Sequence, residues 1–460
     1  MQELLSKALK RAEGLVDYCE IRFEDSQLLS IRFQGKGLDR INHDTQYGGN
    51  VRALCRGGWG FASFNNLADL DDSLQAACEQ ARFAGEAKQG TSQLAPVPIV
   101  NDTVIPVYTL DPRAVSLDEK VRILTHYSDL ILGYDPAITS VSIIYNEKTT
   151  TLYFANSEGS YIKQEKLDIG ANLGGLARRG DVTVSHGIGR GSSIGMDCIL
   201  GLDADLQEAC NILVQLLDAP QVQAGVYTTI CDPAMAGLFV HEAFGHLSEA
   251  DDIFRNPDII KTMTLGRRLG RDILTIYDTG EYATGRGHLV YDDEGVASER
   301  TYLIKDGILV GRLHSRESAA AMGEKPTGSA RAINYQHPPI CRMRSTCIAP
   351  GTSTFADMIK DIELGVYAVG AHGGETNGEM FTFTAAYGYM IRNGQLAELV
   401  RDVQLMGNVF TTLANIDMVG NDAQADDSAG GCGKGEQSPL PTGSVSPHIR
   451  IQNVIIGGAR

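Results

Sequence analysis

The run His241-Glu242-Ala243-Phe244-Gly245-His246 sets two imidazoles and a carboxylate inside an apolar stretch. Neutral imidazoles bind Zn2+ well, and a carboxylate beside them can take a proton from water that the metal has acidified to a pKa of about 7. The matching chemistry is metal-dependent hydrolysis, with His241 and His246 holding the ion and Glu242 as general base. The other reading is a core histidine followed by a helix-end histidine that favours the C-terminal dipole. Burial argues against it, because ionisable groups in an apolar stretch are costly unless paired or liganded.

The spacing is not the usual one. Histidines four apart lie about 40° apart round an α-helix, whereas five apart places them about 140° apart. One ion can take both only if the helix ends, bulges or kinks between them, and Gly245 is expected to carry that distortion. A catalytic zinc also needs a third protein ligand and one open position. Glu249, three residues after His246, is one candidate, and a distant Cys or His is another. Cys432 lies in Gly430-Gly431-Cys432-Gly433-Lys434-Gly435, where glycine lets the backbone come close to a site, and a thiolate binds zinc well. The preferred role for Glu249 is to orient a ligand imidazole through its free N–H. His288, His314, Arg331 and His372 are candidates for steadying an oxyanion. Gly373, Gly374 and Gly378 form a glycine-rich loop that could admit an extended peptide through main-chain hydrogen bonds.

The elements that must position these residues can be read around them. Residues 225–232 form a strand that runs into Asp232-Pro233, an N-cap followed by proline at the first helical position, so the histidine pair rides on a helix. Beyond residue 270 the chain is turn-rich, with hairpin signals at Asp306-Gly307 and Asn393-Gly394. In the first half, helices are expected over 2–13, 67–87, 117–132 and 202–217. Strands are expected over 17–25, 28–34 and in the stretch after 138. A hairpin at Gly57-Gly58 lies within 49–66, and a connector spans 88–114. The fold class is α+β: an N-terminal mixed α/β portion, then a β-rich part carrying the metal-binding helix. Pro220 marks the main boundary, which divides the chain into 1–100, 101–220 and 221–460.

A net charge of −17 and scattered basic residues argue against a chain that grips nucleic acid through phosphates. No apolar run is long enough to span a membrane, and the opening residues lack the apolar core of a signal peptide. Nine dispersed cysteines fit reduced thiols in a cytoplasmic protein.

With these residues in view, the chain resembles the TldD/PmbA family over nearly its whole length. The resemblance is carried by GNVRALCRGGWGFAS, VHEAFGHLSEAD, PTGSARAINYQHPPICRMRSTCIAPGTST, GGETNGEMFTFTAAYGYMIRNGQ and GGCGKGEQSPLPTGSVSPHIRIQNVIIGG. Family members called PmbA or TldE lack the histidine pair, so this chain is similar to the TldD type. The resemblance implies zinc-dependent proteolysis of small or unfolded peptides. It implies a zinc held by His241, His246 and Cys432, with Glu242 as the catalytic carboxylate. It also implies a barrel-like C-terminal domain, and a TldE/PmbA-like partner subunit or a homodimer. Some members carry the older label of modulator of DNA gyrase.

Two rivals stand beside this reading. Gly191-Ser192-Ser193-Ile194-Gly195 fits G-x-S-x-G, which belongs at a strand-to-helix elbow, whereas here it is read in a glycine-rich turn. The chain could instead be a non-catalytic binding or regulatory subunit, acting on a DNA-handling enzyme. An intact His-Glu-His set with Cys432 speaks against a dead scaffold.

Overall fold

The computed structural model describes residues 1–87 and 92–457. Part of the 88–114 connector, residues 88–91, therefore lies outside the described residues.

Long alternating segments build the first sheet. β1 (Tyr18–Gly35) and β2 (Gly37–Cys55) form one extended antiparallel ribbon, continued by β3 (Gly58–Phe64). The two short strands expected at 17–25 and 28–34 are one strand, because Asp25–Gln27 stay paired between Thr45–Tyr47 and Thr149–Thr151. The hairpin turn falls at Arg56-Gly57, both at positive φ, one residue earlier than expected. After β4 (Asn101–Val104), β5 (Ile138–Asn156), β6 (Tyr161–Arg179) and β7 (Val182–Ser192) complete the sheet in the order β3-β2-β1-β5-β6, with β4 and β7 both beside β6.

One face of β1 serves two cores along its length. Cys19, Ile21 and Phe23 pack against α1 (Gln2–Ala12) and α2 (Leu70–Ala87), while Ile31 and Phe33 share a core with α3 (Leu117–Tyr134) and α4 (Asp203–Leu216). Glu20, Arg22 and Glu24 alternate with the apolar set and are also buried, so the opposite face is covered too. Its cover is the C-terminal half. Arg22 lies 3.6 Å from Asp293, and Arg52 bridges Glu20 at 2.8 Å and Glu294 at 3.3 Å.

That second half is a closed five-stranded barrel with a six-stranded sheet beside it. The barrel runs β8 (Gly225–Cys231), β12 (Ile449–Gly457), β11 (Gln404–Asn408), β10 (Met380–Arg392) and β9 (Leu364–Asn377), which returns to pair with β8. Closure leaves no free edge among these five strands. The hairpin expected at Asn393-Gly394 follows β10, with both residues at positive φ. The α+β class with a barrel-like C-terminal part therefore holds. No helix among the described residues is long and apolar enough to cross a membrane.

Candidate metal centre

Asp232 follows β8 directly and caps α5 (Pro233–Phe239). Its Oδ1 accepts from the Met235 N–H at 2.8 Å and its Oδ2 from the Gly370 N–H at 2.9 Å, so one carboxylate ties the helix start to β9. Phe239 then seats the helix edge-on against Phe381 and Phe383 of β10. From Val240 to Gly245 the winding changes to a π-helix, followed by a short 3-10 turn over His246–Ser248.

That change solves the spacing problem. The His246 N–H donates to the His241 carbonyl, a bond spanning five residues, so five-apart side chains come over one another. The two rings stand 5.4 Å apart at 88°. The expected distortion is present, but the reason for Gly245 is different. Its backbone is ordinary right-handed helix, with φ −57°. A Cβ there would strike Met343 Sδ, so glycine is favoured by packing against a fully buried methionine rather than by conformation.

Cys432 arrives from the other side on a short strand, Cys432–Lys434, paired with Gln437–Leu440. Its Sγ lies 3.2 Å from His246 Nε2. Ligand atoms of His241, His246 and Cys432 all fall within 4.8 Å of one another. Tetrahedral zinc with ordinary Zn–N and Zn–S bonds separates its ligand atoms by about 3.5 Å, so this nitrogen, nitrogen and sulfur set is of the right kind and size. Burial pushes the Cys432 thiol up, but hydrogen bonds and charge from His241 and His246 outweigh it and bring the thiol down to about 5. In return His246 rises to about 10 against the pull of burial.

Around these three, each partner has a visible task. Glu249 is wholly buried, and its Oε2 takes His246 Nδ1 at 3.0 Å, leaving Nε2 for the centre. Lys434 Nζ holds Glu249 at 3.1 Å, Asp251 at 2.6 Å and Asp252 at 2.9 Å. Arg342 Nη2 donates to the Cys432 carbonyl at 2.6 Å, and Thr376 Oγ1 donates to the Glu242 carbonyl at 2.9 Å. Lys434, Arg342 and Thr376 were not singled out from the sequence. Only Lys434 left a signal, since two residues after Cys432 on a strand is the same face.

Glu242 lies 3.8 Å from His246 Nε2 and stays 23% exposed. Burial raises its carboxyl above the usual range, and the two imidazoles only partly offset this. It faces a cavity of about 550 Å³ lined also by His241, Cys432, His372, Gly373, Gly374 and the β7 residues His186–Arg190. His372 is the extra residue of a β-bulge in β9, between Ala371 and Gly373. The other oxyanion candidates lie elsewhere and have full-time partners. His314 is buried between Ser318 and Glu324, His288 holds the Gly280 carbonyl, and Arg331 donates to the Met343 and Pro441 carbonyls. The G-x-S-x-G rival fails on geometry, because β7 is followed only by a four-residue 3-10 turn, Met196–Ile199, and both serine hydroxyls are already engaged. Ser193 Oγ is spent on the Ala283 carbonyl at 2.6 Å, and Ser192 Oγ accepts from Ile194 and Gly195. All nine cysteines are free.

Comparison with known proteins agrees with this frame. Family sequence models match residues 19–84 as PmbA/TldA metallopeptidase domain 1, 110–217 as the central domain and 224–458 as the C-terminal domain. A metalloprotease of Synechocystis is 43% identical over 99% of this chain and 97% of its own length. A zinc metalloprotease TldD homolog of Saccharolobus solfataricus is 28% identical over 98% of this chain and 99% of its own. The crystal structure of TldE from Thermococcus kodakarensis superposes with a TM-score of 0.80 at 16% identity, over 99% of this chain and 100% of that one, and so shares the fold. With matched models along most of its length and a relative of this identity aligned end to end, the chain belongs to the PmbA/TldA metallopeptidase family.

Proposed function

We propose that this protein is a zinc-dependent peptidase that cuts small or unfolded peptides, with His241, His246 and Cys432 as metal ligands and Glu242 as general base. The observation that carries the reading is the convergence of two imidazoles and a thiol beside a partly exposed carboxylate, on the wall of an open cavity. Zinc in such a set supplies Lewis acidity toward a carbonyl and brings the pKa of water near neutrality. The protein's own groups do the rest. Glu242, its affinity for a proton raised by burial, takes one from water and hands it to the leaving amine. Glu249 holds the His246 ring in the tautomer that leaves Nε2 free.

A peptide substrate suits the walls. The outer edge of β7 pairs with no strand among the described residues, and Gly373 and Gly374 line the same cavity as β7. Extended chains could bind there through main-chain hydrogen bonds with little side-chain selectivity. His372, re-aimed by its bulge, is the candidate for steadying the oxyanion. We assign the partner as a TldE/PmbA-like subunit or a second copy of this chain, on the strength of the fold shared with TldE. The location is taken as cytoplasmic, from nine free thiols.

The test uses an unstructured peptide. Cleavage should stop with a chelator, return with Zn2+, and ignore serine-directed reagents. Cleavage that survives exhaustive removal of metal would contradict the proposal.

A further inference from the structure

Glycine recurs at every second position along β7, at 187, 189 and 191. Side chains alternate along a strand, so these three share one face and leave it bare. The bare strip extends to β6, where Gly170 stands opposite Gly191 and Gly174 opposite Gly187. Part of it is covered by residues 427–430, the segment that leads into Cys432. A Cβ at Gly189 would lie 2.6 Å from Ser428 Cβ, and one at Gly170 would lie 3.2 Å from Ala429. A Cβ at Gly191 would strike the Asp427 carbonyl and the Arg286 side chain. Glycine in a strand marks close approach of another backbone, and here that backbone carries the cysteine.

Arg286 fastens the segment to the sheet. Its Nε and Nη2 fork onto Asp168 of β6 at 2.7 and 2.9 Å. Its Nη1 donates to the Ser428 carbonyl at 2.8 Å and to the Gly430 carbonyl, two residues before Cys432. Its backbone N–H donates to Asp427 Oδ1 at 3.1 Å. The side chain is only 7% exposed, so the bidentate pair is largely shielded from water. None of these contacts involves the sulfur itself.

The geometry points to Arg286, seated on Asp168 and the glycine strip of β6 and β7, as a positioning residue that holds Cys432 within reach of the two histidines. The N-terminal sheet thereby completes the metal centre in the C-terminal half. This rests on Cys432 being a ligand, as proposed above.

Cobalt(II) loaded into the full chain separates the two ideas. The thiolate-to-cobalt charge-transfer band reports the Cys432–metal bond, and Cys432→Ser sets its blank. Arg286→Lys keeps a charge against Asp168 and loses the fork. Gly189→Ala leaves Arg286 and Asp168 intact and pushes on Ser428. Both should weaken the band and lower Zn2+ affinity about tenfold or more, with the far-UV circular dichroism of the parent. A folded Arg286→Lys protein with the parent's band and affinity overturns the inference. If that variant does not fold, the same result for Gly189→Ala overturns it. A parent with no band, matched by Cys432→Ser in cobalt binding, instead removes the ligand assignment and the inference with it.

Discussion

Glu242 combines two properties that a base for water activation needs. Burial raises its pKa toward working pH, and its carboxylate still reaches the cavity. Glu242→Gln should therefore lower kcat by about 10²–10⁴-fold while zinc content stays that of the parent, measured by peptide cleavage and metal analysis on the same sample. Glu249 touches the proposed ligand set through His246 Nδ1. Glu249→Gln should lower Zn2+ affinity about 10–100-fold in a chelator competition, a loss that excess zinc partly restores. Much of this was legible in residue types: a carboxylate beside two imidazoles has few uses, and a thiol among glycines is a ready ligand. Arg342 and Thr376 were not, since each acts on a backbone carbonyl 90 or more residues away, and nothing local marks such a partner.

At the scale of elements, the π-turn over Val240–Gly245 is what makes the five-residue spacing work. The need for a distortion could be read from angles alone, because 140° cannot serve one ion. The identity of the glycine could not explain it, because the demand comes from Met343, about a hundred residues away. Gly245→Ala should cost about 1–3 kcal/mol in a denaturant titration through overpacking, and Gly245→Ala with Met343→Ala should cost less than the two single substitutions summed. A single Gly245→Ala protein with parental stability would show that the contact is slack. β7 was read as a glycine-rich turn for a related reason. Glycine is depleted in strands, so a strand built to lie under another backbone hides its own pattern.

Across the whole molecule, charge joins the halves. Arg22, Arg52, Lys166, Glu20, Asp293 and Glu294 meet at the seam, where Asp293 answers both Arg22 and Lys166 while Arg22 also keeps Glu24. Asp293→Ala removes the acceptor of the Ala332 N–H and a charge facing Arg22 and Lys166, and should cost about 1–3 kcal/mol, seen as a lower unfolding midpoint. His186 of β7 meets Tyr387 of β10 edge-on at 5.3 Å. Burial, aided by His372, lowers its pKa to about 4, below the value near 6.5 of an unfolded histidine. The unfolded chain thus binds more protons between these values. The contribution, at most about 3 kcal/mol, is complete above pH 6.5 and lost as pH falls toward 4. His186→Gln should flatten that part of the stability profile. The seam was invisible in the sequence, since its members come from β1, β2, β6 and a loop near residue 293. The central claim is that His241, His246 and Cys432 hold one zinc. Zinc K-edge X-ray absorption on the loaded protein tests it most directly. The expected spectrum has one sulfur at about 2.3 Å and imidazole nitrogens at about 2.0–2.1 Å, with the sulfur gone in Cys432→Ser. A zinc with no sulfur neighbour in the parent, bound equally well by Cys432→Ser, would contradict it.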